Sequence, residues 1–301
     1  MRIYNSLEEY RPHPAGACVA LGYFDGVHLG HRAVIESCIA DSGERTSVVL
    51  SFHESPAKAL GRTVPPLLSD NARKAELMEQ LGVDELIFAD FSALKDMTPD
   101  QFVQNILCGQ INAKQVYCGF NFRFGRNGSG DTAVLQKMCK EKEIAVNIME
   151  SVYCDGEQVS SSLIRNLITD GAIDRANRLL GYRYAIEGSI GSGNHLGADM
   201  GFPTVNLTIA DDIAVPRFGV YASDVVTDGM RYRGATNIGV HPTVGENDKP
   251  LCETFLLNFG GGDLYGKRIR CELKKFIRPE MRFGSVEELT KQIRKDCRNC
   301  Y

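Results

Sequence analysis

The hydrophobic periodicity of the chain changes near Gly181, and this change constrains the fold more than any other feature. Before it, short apolar runs such as 17–22 and 85–89 alternate with helical patterns such as 71–81. This repeated β-α-β order predicts a doubly wound parallel sheet. Beyond it, strand-like runs between glycine- and proline-rich turns predict a small antiparallel β-barrel, followed by a helix at 286–296. We therefore expect an α/β protein with two domains, 1–181 and 182–301.

Length and composition indicate a soluble globular protein. The 301 residues are 43% hydrophobic and carry a net charge of −4, and no run approaches the roughly 20 apolar residues of a membrane span. Without a basic excess, nucleic acid is not an expected partner. The first residues lack a signal-peptide pattern, so we expect a cytoplasmic protein with reduced cysteines. Cys297 and Cys300 have metal or redox spacing, but no second pair accompanies them, which favours two ordinary thiols.

The segment 21–31 has the pattern of a phosphate-binding loop, because it ends a predicted strand and opens a predicted helix. Its glycines at 22, 26 and 30 allow tight turns and close approach of the backbone to a phosphate. His28 and His31 are three residues apart and can face one point, where two imidazoles could stabilise charge developing on an α-phosphate. The alternative is that one histidine caps the helix and the other lies on the surface. The surrounding strand and glycines favour the phosphate site.

Two further segments of the first half carry weaker signals. Ser161, Ser162 and Arg165 stand at a predicted helix start and suit the β- and γ-phosphates of ATP. An N-cap serine and a solvated arginine would give the same pattern. Asn121 lies in 118–125 among aromatic residues and glycines that suit a ring-shaped substrate at a strand end, although the alternating phenylalanines could equally be core.

In the second half, 201–207 is the densest motif. Thr204 and Asn206 alternate onto one face of a strand, and their hydroxyl and amide oxygens are hard ligands that suit Mg²⁺ carrying ATP phosphates. A glycine–proline turn entering an edge strand is the alternative. Glu253 lies in an otherwise apolar strand. Its carboxylate could be the general base on an attacking hydroxyl, or it could simply point outward.

The motif Phe-Asp-Gly-Val-His-Leu-Gly-His at 24–31 resembles the signature of the FMN adenylyltransferase module of bacterial bifunctional riboflavin kinase/FAD synthetases. Residues 119–125 and 160–165 resemble the next two motifs of that module, in the expected order. The resemblance implies a nucleotidyltransferase domain in which His28 and His31 bind and activate the phosphates of ATP.

The same resemblance implies further roles around this catalytic pair. Asn121 is expected near the nucleotide and flavin phosphates, and the third motif is expected to hold the leaving pyrophosphate. The ATP- and phosphate-binding residues that we assign to this half are Gly22, Phe24, Gly30, Asn121, Ser161, Ser162 and Arg165.

Residues 182–301 resemble the riboflavin kinase module of the same family. The stretch Gly-Phe-Pro-Thr-x-Asn at 201–206 is followed in order by the motifs at 219–221, 263–266 and 277–280. The resemblance implies that Thr204 and Asn206 bind Mg²⁺ with ATP and that Glu253 is the base on the riboflavin 5′-hydroxyl. The ATP- or flavin-binding residues that we assign to this half are Gly201, Pro203 and Arg278.

Three positions depart from the family pattern. Ser162 stands where threonine is usual and keeps the hydroxyl. A usual His-Pro pair is replaced by Ser55 and Pro56, with His53 two residues before Ser55. An arginine that is usual in the glycine-rich loop of the second half is Ala198 here.

The sequence therefore predicts a bifunctional transferase that converts ATP and riboflavin to FMN and ADP, and then ATP and FMN to FAD and pyrophosphate, with Mg²⁺ in both steps. One alternative is a single-activity FMN adenylyltransferase with a weakened kinase domain. Another is a non-catalytic regulator that binds flavin or nucleotide. The expected partners are small-molecule substrates, with neither nucleic acid nor a membrane, and a weak homo-oligomer is left open.

Overall fold

The computed structural model describes residues 1–190, 204–240, 249–257, 259–261, 264 and 266–300. The chain folds into two compact units, Met1–Ser161 and Ser162–Tyr301. The first contains a parallel sheet with helices and the second an antiparallel sheet, so the predicted fold class is confirmed. The second unit also contains the two helices that precede Gly181.

A six-stranded parallel sheet forms the centre of the first unit. In spatial order its strands are β1 (Arg2–Tyr4), β4 (Glu85–Ala89), β3 (Thr46–Phe52), β2 (Ala17–Leu21), β5 (Ala113–Gly119) and β6 (Ala145–Met149). β2 and β4 are buried along their whole length, which is why they appear in the sequence as continuous apolar runs. The direction in which strands are added reverses between β2 and β5. Ligands bind at the carboxyl ends of the strands beside such a reversal.

Helices connect these strands. They are α1 (Leu29–Ala40), α2 (Pro56–Ala59), α3 (Asn71–Leu81), α4 (Phe91–Leu94), α5 (Pro99–Gln101), which continues as a π-helix over Phe102–Gln110, and α6 (Thr132–Lys140). Thr98 and Gln101 form a capping box, in which each side chain accepts a hydrogen bond from the other residue's backbone N–H. Asp70 caps α3 by accepting from the Arg73 N–H (2.7 Å). A hairpin of β7 (Tyr153–Cys154) and β8 (Glu157–Gln158) precedes the end of the unit.

The second unit contains six antiparallel strands that close almost into a barrel. In spatial order they are β10 (Thr204–Thr208), β13 (Leu251–Leu257), β12 (Met230–Gly239), β11 (Gly219–Thr227), β14 (Arg268–Arg278) and β9 (Ala185–Ser189). A hydroxyl ladder is buried in the barrel. The Thr236 hydroxyl lies 2.7 Å from that of Ser223 and 2.8 Å from that of Thr254, so these polar groups satisfy one another.

Three helices complete this part of the chain: α7 (Ser161–Thr169), α8 (Ile173–Leu180) and α9 (Val286–Arg298). α9 begins at the predicted cap, where the Ser285 hydroxyl accepts from the Glu288 N–H (3.2 Å). Cys297 and Cys300 are buried at its end, and burial raises the pKa of the Cys300 thiol to about 12. Both behave as small apolar residues, and all ten cysteines are unpaired.

Candidate active sites

The loop between β2 and α1 has a tightly wound backbone. Phe24 takes a left-handed conformation (φ 54°, ψ 37°), and Gly26 follows it with φ 75°. A Cβ at Gly22 would lie 2.8 Å from the Phe24 ring. The Phe24 side chain, 3% exposed, therefore occupies space that only a glycine at position 22 leaves. This packing brings the backbone back to the start of α1.

His28 and His31 come together at the start of α1. Their rings stack with centroids 3.6 Å apart and an interplanar angle of 16°. His28 is the N-cap, and its Nδ1 accepts a hydrogen bond from the His31 N–H (3.3 Å). In the neutral imidazole this bond leaves the proton on Nε2, which can donate to a phosphate oxygen. A Cβ at Gly30 would lie 3.2 Å from the His28 ring, so a glycine at position 30 leaves the space that this ring occupies. His28 thus takes the capping role and also pairs with His31.

The third predicted segment begins beside this loop. The Ser161 hydroxyl donates to the carbonyl oxygen of Asp25 (3.3 Å). Ser162 is exposed and Arg165 is half-buried on the first two turns of α7, and both belong to the second unit. The structure therefore brings Ser161 to the loop that carries His28.

Asn121 and Phe120 stand at the carboxyl end of β5, the strand that pairs with β2. A Cβ at Gly119 would lie 3.3 Å from the Asn121 Oδ1, so this amide folds back over the strand end. Phe120 is 49% exposed, whereas Phe124 is buried and stacks on Phe122. Of the three alternating phenylalanines, Phe122 and Phe124 therefore pack in the core. Phe120 has an exposed ring at the ligand-binding edge of the sheet.

The residues at the usual His-Pro position serve local structure. Ser55 caps α2 by accepting from the Ala57 N–H (3.3 Å). The His53 ring stacks on Phe88 with centroids 5.2 Å apart, and its Nε2 lies 2.8 Å from the Asn5 carbonyl oxygen. The displaced histidine therefore joins the start of the chain to the region after β3.

In the barrel, strand register places the predicted Mg²⁺ and base residues on one face. Asn206 on β10 is the direct cross-strand partner of Glu253 on β13, and Glu253 is also the partner of Asn237 on β12. Direct partners in an antiparallel sheet project to the same side, with Cβ atoms about 4.5–5.5 Å apart. Thr204 lies two residues before Asn206 and shares its face. Asn237 did not stand out in the sequence, because the register that puts it beside Glu253 is a tertiary feature.

Arg278 is engaged in an ion pair. Its guanidinium donates to the Asp296 carboxylate on α9 from Nε (3.1 Å) and from the second terminal nitrogen (2.7 Å), and Asp296 is 2% exposed. Arg278 therefore holds α9 on the barrel in this structure. The positions Gly201, Pro203 and Ala198 lie outside the residues that the structure describes.

Comparison with known proteins gives matches over both halves. The family model for FAD synthetase matches residues 10–163, and the model for riboflavin kinase matches residues 180–301. The bifunctional riboflavin kinase/FMN adenylyltransferase of Bacillus subtilis (strain 168) is 36% identical over 289 residues, which cover 94% of this chain and 90% of the relative. The chain belongs to this bifunctional family. The member from Listeria monocytogenes is 34% identical over 283 residues, which cover 92% of this chain and 89% of that relative.

A solved structure from Streptococcus pneumoniae, named there a macrolide-efflux protein, superposes on this family member with a TM-score of 0.87 at 29% identity. The match covers 98% of this chain and 97% of that one, so the two share their architecture throughout. The name macrolide-efflux protein belongs to the Streptococcus pneumoniae protein and is not carried over to this chain. Over the ranges described for this chain, no helix has the length and apolar character needed to cross a membrane.

Family membership confirms the prediction of a bifunctional flavin-nucleotide transferase, because one chain contains both modules. A single-activity enzyme and a non-catalytic regulator are not favoured.

The barrel face suits magnesium carried by a nucleotide. Within the described parts of the chain, no cluster of three or more His, Cys, Asp or Glu residues could hold a metal ion by itself. The hydroxyl of Thr204 and the amide of Asn206 instead supply two hard oxygen donors on one strand face. Mg²⁺ is usually bound by such a small set, with water and substrate phosphates completing its shell.

Proposed function

We propose that the bifunctional family member forms FMN at the barrel face and FAD at the β2–α1 loop, with ATP as donor in both steps. The observation that carries this assignment is the register of Asn206 with Glu253. It places a candidate Mg²⁺ ligand beside a candidate base, although the two residues are 47 positions apart in the sequence. This is the arrangement that transfer of a phosphoryl group to a hydroxyl requires.

At the loop, the FMN phosphate attacks the α-phosphorus of ATP and pyrophosphate leaves. The attacking group is already anionic, so orientation suffices and no side-chain nucleophile is needed. His28 and His31, with the backbone amides at the start of α1, stabilise the charge that develops on the α-phosphate. Asn121 binds near the phosphates, and the exposed Phe120 ring beside it supports stacking of the isoalloxazine there.

We assign the binding of the leaving pyrophosphate to the third motif, Ser161, Ser162 and Arg165. The hydrogen bond from Ser161 to the Asp25 carbonyl oxygen supports this role for Ser161. Gly22, Phe24 and Gly30 shape the backbone that receives the phosphates.

At the barrel face, Glu253 accepts the proton of the riboflavin 5′-hydroxyl as the oxygen attacks the γ-phosphorus of ATP, and the bond from that phosphorus to the β–γ bridging oxygen breaks to release ADP. Thr204 and Asn206 would hold Mg²⁺, which when bound spreads the charge of the phosphates. Gly201 and Pro203 are proposed to contact ATP. A flavin contact of Arg278 would have to be made alongside its pairing with Asp296.

We place the limit between the catalytic modules at Gly181, and the start of the riboflavin kinase match at residue 180 supports it. The ten unpaired cysteines support a cytoplasmic location. The net charge of −4 supports small-molecule substrates as partners, without nucleic acid.

Separation of the products by chromatography tests this assignment. His28→Ala and His31→Ala should each lower FAD formation from supplied FMN by about 10²–10³, the usual cost of one charge-stabilising donor. Formation of FMN from riboflavin should persist in both variants, because the two histidines lie in the first unit and the proposed FMN-forming face lies in the second. His13→Ala removes an exposed imidazole of the same unit and should change neither step.

Unchanged FAD formation in both His28 and His31 variants would contradict the site. Folded wild-type protein that makes neither FMN nor FAD from riboflavin and Mg²⁺-ATP would contradict the proposed function itself.

A further inference from the structure

Lys74 is a charged residue in the interior of the first unit. It lies on α3, is 1% exposed, and its ammonium has no hydrogen-bond partner in the part of the chain that the structure describes. The Nζ atom lies 4.1 Å from the centroid of the Tyr23 ring and 5.7 Å from that of Phe88. Aromatic faces and the charge of Asp25 are what stabilise this cation.

These contacts reach the loop that carries the catalytic histidines. Tyr23 and Asp25 stand on either side of Phe24, the left-handed residue of the loop. The Tyr23 carbonyl oxygen accepts from the Ser51 hydroxyl (2.9 Å), and the Asp25 carboxylate accepts from the Leu68 N–H (2.9 Å). The loop is therefore fixed from β3, from the segment before α3, and by the cation of α3.

We propose that Lys74 is a positioning residue for adenylyl transfer, which acts as a buried cation against Tyr23 and Asp25 to hold the loop and His28 in the conformation that receives ATP. The inference rests on the proposed role of this loop. Lys74 touches the loop and not the histidines, so it acts through Tyr23 and Asp25.

The charge has a cost in stability. A buried cation without hydrogen bonds is less favourable than an apolar side chain of similar size. Burial lowers the pKa of Lys74 from 10.5 to about 8, while the charge of Asp25 opposes the shift. Because the folded pKa is the lower one, the cost is fully present below pH 8 and disappears as the pH rises toward 10.5. A residue kept charged at such a cost points to a function of the charge.

The other ionisable groups around this position have their own partners. Arg73 pairs with Glu76 (2.8 Å), Asp70 caps α3, and His53 stacks on the Phe88 ring. Asp25 is the group whose charge acts on Lys74. Loss of the Lys74 charge above pH 8 is therefore expected to appear as an alkaline limb in the rate of FAD formation.

The test uses the full chain, with Lys74→Met, Lys74→Arg and a matched control, Lys137→Met, which makes the same change at an exposed position of α6. At pH 7 we expect Lys74→Met to raise the Tm of the first unit by about 5 °C. The same variant should lower kcat/KM for FAD formation from FMN by about 10- to 100-fold, since small displacements of catalytic groups cost that much. FMN formation from riboflavin is the internal control and should not change.

The pH profile separates a positioning role from a merely structural one. The wild-type rate of FAD formation should fall as the pH rises through about 8, toward the rate of Lys74→Met, which itself should lack this limb. Lys74→Arg keeps its charge and should restore part of the activity without a limb near pH 8. The Tm advantage of Lys74→Met should shrink between pH 7 and pH 10.

The inference is overturned if Lys74→Met matches the wild type in rate and pH profile. It is also overturned if that variant melts lower than the wild type or fails to fold, since the lysine would then be structural. FAD formation by the wild type is measured first. Its absence would refute the proposed function, and this result is distinct from a failure of the inference about Lys74.

Discussion

Glu253 has a side-chain amide directly across the sheet on each side, Asn206 on β10 and Asn237 on β12. The motif containing Asn206 and the lone carboxylate in an apolar strand were visible in the sequence. Asn237 was not, because a strand's register is fixed by its pairing and not by its own residues. Lys74 escaped notice for a related reason: a lysine on an amphipathic helix predicts a solvated face, and its burial depends on Tyr23 and Phe88 from other elements.

We predict that Asn237 orients the carboxylate of Glu253. Asn237→Leu removes the amide and should lower kcat for FMN formation about 10-fold, with a smaller change in the KM for riboflavin, because orientation of a base acts mainly on the chemical step. Asn237→Ser keeps a donor and should recover part of the loss. Steady-state kinetics of riboflavin phosphorylation measures both variants.

Thr208→Val is the control for Asn237, since it removes a polar group from an exposed position at the end of β10, where the cross-strand partner is Leu251 and not Glu253. Its kcat should match the wild type, and FAD formation from FMN should persist in all three variants. A wild-type kcat in Asn237→Leu would contradict the orienting role.

At the scale of elements, long periodic segments were predicted well. The helix at 71–81 and the strand at 85–89 have the predicted bounds, since their apolar positions fix both type and extent. β1 (Arg2–Tyr4) was missed. Three residues cannot show a period, and the strand exists because it pairs with β4, about 80 positions away in the chain. α9 was predicted from its cap and pattern, but not the ion pair that attaches it to β14.

The ion pair between Arg278 and Asp296 should contribute more to the free energy of unfolding than most ion pairs do. Asp296→Ala would leave the largely buried Arg278 guanidinium without its carboxylate, and removing one partner of a buried pair costs about 3–5 kcal/mol. Urea unfolding of the second unit should show this loss. Asp174→Ala breaks an exposed pair with Arg178 in the same unit and should cost less than about 1 kcal/mol. Equal losses in the two variants would mean that Arg278 does not anchor α9.

At the scale of the whole molecule, periodicity predicted two halves of different architecture, and the structure has them. The domain boundary that the sequence indicates differs from the boundary between the two compact units of the structure. Gly181 marks the end of helical periodicity, whereas the compact second unit begins at Ser162. The difference consists of α7 and α8, whose helical pattern resembles that of the first half although α8 packs on β14 of the barrel. Periodicity reports the type of an element and carries no information about the unit that it joins.

We predict that a fragment of residues 162–301 is a more stable riboflavin kinase than a fragment of residues 183–301. The Asn177 side chain on α8 donates to the Leu273 carbonyl oxygen (2.9 Å) and accepts from the Tyr184 N–H (2.7 Å), so it ties the helix to both β14 and the start of β9. Removing α8 leaves these groups unpaired and uncovers part of the barrel, which should cost about 2–5 kcal/mol.

Thermal melting and riboflavin phosphorylation of the two fragments measure this difference. The longer fragment should phosphorylate riboflavin at the rate of the full chain, because the residues of the barrel face are all present and the helix that supports them is retained. Asn177→Ala in the longer fragment should reproduce part of the loss, whereas Asn166→Ala, at an exposed position of α7, should not. If the shorter fragment melts at the same temperature as the longer one, α8 contributes nothing to the barrel, and Gly181 is the physical limit of the kinase unit as well as the limit of the periodicity.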